Sequence, residues 1–455
     1  MTALELEQSA DLRGPSPVRG LLRRHPTLMA ALACALSFTV FWTVQRLAHV
    51  TMIDLMVYRA EGWTARNGED LYDMVATSAH LPNTYPPFAA LLFTPLTLVG
   101  VPVMRTLATA GNLALFVGVV HLSLRLAGRP RRLPRPAATL ALSALLVWVE
   151  PVWTTLRYGQ INLLVAVLVL WDLTRKDTNR WAGIGIGIAA GIKLTPALFA
   201  VFLALAGAVR AGQLLRSGAG ARAAWHPWLR QAAVATVTFL VTALVAALVL
   251  PRDSHRFWTE IVFAADRVGE VEITANQSLR GALARLLHTH DPGASYLVVA
   301  GATVALGLAL AVGSLLRAAG APPAEYGGRA WAAVCCAVTA LLVSPISWSH
   351  HWVWAVTALI LLGSEALHRT GRAARHWWAT TAAAGLLFCS FALWWVPHRW
   401  HHHEELHQNG LQMLLSDVYP LAGLALLVLA ATRLRRLRRL GGPGGGEGVP
   451  VPPAG

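Results

Sequence analysis

The sequence predicts an all-α polytopic membrane protein, a bundle of about twelve transmembrane helices with juxtamembrane helices on its outer face. Three observations predict it. Of 455 residues, 55% are hydrophobic and only 13% are charged, about half the charged share with which a soluble domain coats its surface. Mean hydropathy is +0.50, and the apolar residues fall in long blocks bounded by arginine clusters. Those clusters are placed unevenly: 26 of the 38 lysines and arginines sit in alternate connecting segments that the positive-inside rule assigns to the cytoplasm. The same composition excludes collagen, a disordered chain and a disulfide scaffold. A net charge of +15 would suit nucleic acid, but arginines facing an anionic inner leaflet account for it, so no nucleic-acid partner is expected.

The segment 1–26 is expected in the cytoplasm. The stretch Thr27–Leu47 behind Arg19, Arg23 and Arg24 resembles a signal peptide but is long, carries Trp42 and lacks a clear cleavage site, so it reads as a retained first span. Further spans are expected at about 103–127, 136–153, 160–174, 181–192, 196–209, 231–250, 295–317, 331–345, 352–367, 377–396 and 415–432. Together 27–432 form one transmembrane domain with outer loops 50–102, 251–294 and 397–414. The run Phe88–Gly100 is short and broken by Pro95, so it is laid along the outer interface or as a re-entrant piece. The block 182–209 divides at Lys193–Pro196, because basic clusters at both of its ends require two short helices. Gly183, Gly187 and Gly191 repeat every four residues and permit close helix packing. The tail 433–455, basic and then rich in Gly and Pro, returns to the cytoplasm. Cys34, Cys335, Cys336 and Cys389 lie in apolar blocks without a CxxC pair and are expected to pack as small hydrophobes.

Polar residues near spans are costly and mark function by default. They gather at one surface. The first outer loop opens on Asp54, Tyr58, Arg59 and Glu61 and closes on Thr84-Tyr85-Pro86-Pro87-Phe88. Asp54, just beyond the first span, is either a general base or an interfacial anchor that caps the helix behind it. At the turn between the third and fourth spans stand Glu150, Arg157, Tyr158, Gln160 and Asn162. There Arg157 with Gln160 would hold a phosphate or sugar, unless the arginine merely snorkels. Lys193 lies at membrane depth in a helix break, where a lysine pairs with a carboxylate or an anionic ligand. Asn276-Gln277-Ser278-Leu279-Arg280 suits hydroxyl and phosphate recognition, or else begins a capped interfacial helix. Ser344-Pro345-Ile346-Ser347-Trp348-Ser349-His350-His351-Trp352 places two histidines among aromatics, either to assist a leaving phosphate or as part of an aromatic belt.

His403-Glu404-Glu405-Leu406-His407 matches the HExxH zinc signature. The loop is short, begins with His401-His402, and offers no evident third ligand, so no metal site is expected.

The motifs Asp54-Leu-x-Val-Tyr-Arg, Thr84-Tyr-Pro-Pro-Phe, Gly159-Gln-Ile-Asn, Gly191-Ile-Lys-Leu-Thr-Pro and Ser344-Pro-Ile-Ser-Trp-x-His-His, in this order, resemble glycosyltransferase family 87. These are the GT-C polyprenol-phosphate-mannose-dependent α-(1→2)-mannosyltransferases of actinobacteria. The resemblance covers about residues 50–430. It implies a GT-C-like bundle, a lipid-linked sugar donor on the outer face, and a catalytic aspartate at Asp54. It also implies inverting transfer of mannose to a cell-envelope glycolipid or polysaccharide. Lys193, Arg157, Gln160, Arg280, His350, His351, Tyr58, Arg59 and Tyr85 would then serve donor phosphate and sugar. No cofactor is expected beyond the donor itself. GT-C enzymes often carry paired acids, whereas here Leu55 follows Asp54, leaving Glu61 as the second carboxylate. The expected location is the plasma membrane, with both termini inside and the active site outside. Rival readings are a GT-C transferase of another lipid-linked sugar, such as arabinofuranose or glucose, and a twelve-span transporter. The transporter is disfavoured because the halves are unrelated and the polar groups sit at one surface.

Overall fold

The computed structural model describes residues 24–130, 133–320, 327–399 and 401–440. Residues 1–23 of the expected cytoplasmic segment 1–26 and the Gly/Pro-rich tail beyond 440 lie outside the described residues. Apart from a two-residue hairpin, Val75–Ala76 against Leu81–Pro82, the described regular structure is helical. Among the described residues, six helices are long and apolar enough to cross a bilayer. They are α1 (Pro26–Leu47), α4 (Val101–Leu126), α9 (Ala197–Arg216), α10 (Pro227–Val249), α13 (Gly293–Gly320) and α18 (Val418–Leu440). Shorter helices stand between them: α2 (Ile53–Asn67), α3 (Pro87–Phe93), α5 (Arg135–Leu146), α6 (Glu150–Tyr158), α7 (Asn162–Leu173) and α8 (Ile184–Ile192). Later in the chain come α11 (Pro251–Thr259), α12 (Leu279–Leu286), α14 (Gly328–Val343), α15 (Ala355–Leu367), α16 (Gly371–Cys389) and α17 (Gly410–Ser416). The protein is an all-α, multi-pass membrane protein.

Length and burial run in opposite senses. The long helices α1 and α10 expose large apolar side chains such as Leu36, Leu47, Leu244 and Leu248, as lipid-facing helices do. The short helices α14 and α15 are buried almost all round, Ala330 to Leu342 on α14 without interruption. A helix apolar on every side belongs at the centre. Close packing follows the small residues. A Cβ on Gly187 would come within 2.5 Å of the Ala235 carbonyl of α10, and Gly183 and Gly191 are pressed against the same helix.

Two expected spans are interrupted. The block 136–153 is divided into α5 and α6, which meet at 81°. Pro151 lacks the N–H that would carry a helix through the bend, and Val149 is extended. The block 377–396 ends as an α-helix at Cys389, where Phe391 turns left-handed at φ 54°. The break at Lys193–Pro196 is present: Lys193 is extended at φ −149°, and α9 restarts at Ala197. The run Phe88–Gly100 forms α3 and a 3-10 turn, Thr94–Leu98. Cys34, Cys335 and Cys336 are buried, whereas Cys389 is exposed.

The long loops fold on one another. The Leu71 amide donates to Asp253 at 2.8 Å, and Arg256 bridges Asp70 and Asp73 at 2.9 and 2.7 Å. Tyr72 stacks on Phe257. At the opposite helix ends Arg329 pairs with Asp177, while Arg369 and Arg433 share Glu365. The bundle thus has one end of layered loops and one end of paired arginines.

Candidate active site

The loop end carries the polar centre. Met52 is left-handed at φ 54° and turns the chain from α1 into α2, so that Asp54 falls in the first turn of α2. A helix N-terminus favours a carboxylate there. One turn later, Tyr58 lies on the same face. The turn from α6 to α7 comes up against this face through Gly159, left-handed at φ 70°, where a Cβ would stand 2.7 Å from that of Leu55. Glycine is required for both the backbone and the approach.

That approach delivers Gln160. Its Nε2 donates to Asp54 Oδ2 at 2.7 Å, and its Oε1 accepts from Tyr58 at 2.6 Å and from Tyr85 at 3.3 Å. The two tyrosine hydroxyls are 2.9 Å apart. The amide N–H needs an acceptor oxygen on Asp54, and the bond is strongest to the ionised carboxylate. Burial pushes the Asp54 carboxyl up to about 6, against the Gln160 hydrogen bond and the Lys193 charge, which pull it down. A carboxylate so poised is basic enough to take a proton near neutral pH.

Lys193 faces this group from the break between α8 and α9. Its Nζ donates to Asn162 Oδ1 at 3.3 Å, lies 2.9 Å from His351 Nε2 and stands 5.5 Å from the Tyr85 ring centroid. Asn162 in turn donates to the His350 carbonyl at 3.0 Å, and Thr155 donates to the same oxygen at 2.8 Å. The His350 ring is buried against Tyr158 and His351, with Nε2 unpartnered among the described residues. A cleft beside Lys193 is lined by polar Asn162, Thr195 and His351 and by apolar Phe199, Leu341 and Trp354.

Five side chains singled out in the sequence therefore meet Asp54 or one another: Gln160, Tyr58, Tyr85, Lys193 and His351. His350 joins them through its carbonyl and ring. The other candidates lie apart. Arg157 is exposed on α6. Arg59 donates to the Val99 carbonyl at 3.3 Å, and Arg280 pairs with Asp291 at 3.7 Å. Neither arginine contacts Asp54 or Lys193. Glu61 is fully buried with both carboxylate oxygens unpartnered among the described residues, and burial with the Asp54 charge holds its carboxyl well above the usual range. This environment favours the neutral acid over the carboxylate.

Asn276 and Gln277 have a different task from ligand recognition. The Gln277 amide N–H donates to the Ser347 carbonyl at 2.7 Å, and Ser349 N–H donates to the Ala275 carbonyl at 2.9 Å. Asn276 Oδ1 accepts from Ser347 N–H at 2.9 Å. Gln277 also spends its side chain on the backbone of Thr274, Ser416 and Tyr419. Ser278 caps α12 by accepting from Gly281. The segment is a knot that fixes the stretch carrying His350 and His351. Glu150 ties a second knot, accepting from Thr154, Ser349, Trp394 and Tyr419 at 2.7 to 3.1 Å. Its isolated position in the sequence gives no sign of four partners from four segments. The HExxH geometry does not form: His403 is left-handed, and Glu404–His407 is a single 3-10 turn.

Comparison with known proteins decides the family. The profile of glycosyltransferase family 87 matches residues 83–345. The chain belongs to this family. It is 33% identical over 406 residues to a polyprenol-phosphate-mannose-dependent alpha-(1-2)-phosphatidylinositol pentamannoside mannosyltransferase of Mycobacterium tuberculosis (strain CDC 1551 / Oshkosh), covering 87% of this chain and 84% of the relative. A protein of the same description from Mycolicibacterium smegmatis is 33% identical over 430 residues, 92% of this chain and 95% of the relative. A second protein of that organism, described as a polyprenol-phosphate-mannose-dependent alpha-(1-2)-phosphatidylinositol mannoside mannosyltransferase, is 30% identical over 394 residues, 83% of each chain. No solved structure matches the chain significantly. Family membership removes the transporter reading.

Proposed function

We propose that this family 87 glycosyltransferase moves mannose from a polyprenyl-phosphate donor to a hydroxyl of a mannosylated phosphatidylinositol-type glycolipid, with Asp54 as the base. The observation that carries the reading is the Asp54–Gln160 hydrogen bond of 2.7 Å beside a half-buried Lys193. The Lys193 charge reaches the Asp54 carboxylate, and Lys193 itself lines a largely apolar cleft. The described relatives use a polyprenol-phosphate-mannose donor and a phosphatidylinositol mannoside acceptor. A second lipid-linked sugar remains the alternative donor.

The donor phosphate sits against Lys193 and His351, and its isoprenoid chain lies in the apolar cleft. The acceptor hydroxyl oxygen attacks the anomeric carbon and gives its proton to Asp54, while the carbon–oxygen bond to phosphate breaks. Both electrons of that bond leave with the polyprenyl phosphate. One base and one displacement invert the centre, and no covalent sugar–enzyme intermediate is formed. The departing monophosphate is stabilised by the Lys193 ammonium, so the step is written without a metal ion. Gln160, held by Tyr58 and Tyr85, keeps Asp54 aimed.

The loop end faces the outside of the plasma membrane and the arginine end faces the cytoplasm, with both termini inside. The short helices complete a crossing number near twelve. Cysteines placed at Asn67 and His402, both exposed, in a background with Cys389→Ser, should react with an impermeant thiol reagent on intact cells. Labelling only after lysis would invert this topology. The chemistry is tested by Asp54→Asn in a transfer assay with purified polyprenyl-phosphate-mannose, alongside donor binding. Loss of transfer with binding retained is the expected outcome.

A further inference from the structure

Outside the polar centre, the two later loops meet at three metal-ligating side chains. Glu272 precedes α12, His290 follows it, and His403 belongs to the histidine-rich loop 397–414. The Nδ1 atoms of His290 and His403 both donate to Glu272 Oε1, at 2.8 and 2.7 Å. All three candidate donor atoms lie within 4.8 Å of one another. We propose that Glu272, His290 and His403 form a three-ligand site for a zinc-class divalent transition-metal ion that clamps these loops together.

The donor set selects the ion. Two imidazoles and one carboxylate suit zinc and its borderline neighbours, not magnesium or calcium, which require more oxygens. Tetrahedral zinc holds nitrogen and oxygen ligands at about 2.0–2.2 Å, hence about 3.3–3.5 Å from one another. Each imidazole need retreat from the carboxylate by well under an ångström to admit the ion, which then replaces two shared protons. The site is also held from outside. Glu272 is buried, and its carbonyl accepts from Arg285 at 2.8 Å. Arg285 is itself fully buried and paired with Asp417. His403 is turned toward Glu272 by a left-handed backbone at φ 52°. The histidine side chains remain 60% and 44% exposed, which leaves an entry path and a fourth position for water. Of the HExxH signature only His403 takes part, and its partners come from another loop. The three ligands make no contact with Asp54 or Lys193, so the ion is structural, and the inference stands independently of the proposed transfer.

The test uses the untagged full-length protein in detergent, stripped with EDTA and dialysed, then titrated with zinc chloride in a calorimeter. Parent, Glu272→Gln and His290→Ala are compared with a control, His402→Ala combined with His407→Ala, from the same loop but outside the triad. The parent and the control should bind one ion. Both triad variants should bind it at least about tenfold more weakly, the scale on which even partners of ligands matter. Zinc should slow proteolysis within 397–414 in the parent and not in Glu272→Gln. Parent protein that binds no zinc, triad variants that bind equally well, or a control that loses binding would each overturn the proposal. Should Glu272→Gln fail to fold, His290→Ala decides alone, because its exposed ring can be removed without opening the interior.

Discussion

Two buried polar groups lie near one another at the loop end, and they use their hydrogen-bonding capacity in opposite ways. The Asn276–Gln277 knot spends itself on backbone. Gln277 alone serves Thr274, Ser416 and Tyr419, and its main chain serves Ser347. The Asp54–Lys193 centre spends itself on side chains, with Gln160 between Asp54 and the tyrosines and Lys193 between Asn162 and His351. Backbone partners cannot be displaced without unfolding, whereas side chains can rotate to admit a substrate. The contrast separates amides that build the fold from amides that serve chemistry, though both kinds stood equally in the sequence.

Mutation should divide along that line. The largest effect is expected at Asp54. General-base assistance is worth ~10²–10⁴ in rate, so Asp54→Asn should lose transfer on that scale while binding donor normally. Its stability moves the other way. The folded carboxyl is raised to about 6 from an ordinary value of 3.8, so the native state binds the proton more tightly than the unfolded chain. Stability is therefore lost as pH rises from about 4 to about 6. Asp54→Asn, which never ionises, should melt no lower than the parent at pH 8. In the parent, kcat/KM should fall about tenfold per pH unit below about 6, as its base becomes protonated. A folded Asp54→Asn enzyme above about a tenth of parent rate would remove Asp54 from the role.

Lys193 comes next. Lys193→Met removes the charge at similar volume and should cost ~10² in kcat/KM, comparable to losing one stabiliser of developing charge. Lys193→Arg should retain more. If the methionine variant turns over like the parent, the lysine is structural and the two regions are alike after all. Gln277→Ala sharpens the comparison from the other side. It strands three buried backbone groups, each worth ~1–3 kcal/mol, so melting should fall by several degrees, with transfer by the folded fraction changed less than tenfold.

The fold class, the break at Lys193 and the close packing of the glycines were legible from apolar length, from the basic clusters at both ends of the block and from the spacing of small residues; that the glycines meet α10 was not. Asp54, Gln160, Tyr58, Tyr85, Lys193 and His351 were legible as polar residues beside spans, an expensive place to stand. Which arginines joined them was not. Arg157, Arg59 and Arg280 carry the right chemistry, but long side chains near an interface have water, carbonyls and carboxylates within reach, and sequence does not say which they take. The four partners of Glu150 come from positions 154, 349, 394 and 419. Thr154 lies one turn along the same helix, and only the closed bundle brings in the other three. The bend at Pro151 was visible as a proline, yet its angle is set by how α6 packs on the turn that carries His350.

The smallest effect is expected at Glu61, where the comparison is most exposed to error. Glu61 shares α2 with Asp54 and is buried as deeply as any group in the knot, yet neither of its oxygens has a partner among the described residues. Were it a working second base, Glu61→Gln would lower kcat by an order of magnitude or more. Burial and the Asp54 charge, however, push its carboxyl toward the neutral form, and glutamine reproduces a neutral acid in both shape and polarity. Glu61→Gln should therefore keep kcat within about threefold of the parent, far below the scale of general-base loss. A second readout separates the cases. If a neutral Glu61 raises no field at Asp54, the acid limb of the pH–rate profile stays near 6 in Glu61→Gln. If Glu61 carries charge, its removal lowers that limb, because a neighbouring anion holds the Asp54 carboxyl up. A limb displaced downward by a full pH unit would mean that two carboxylates share the site.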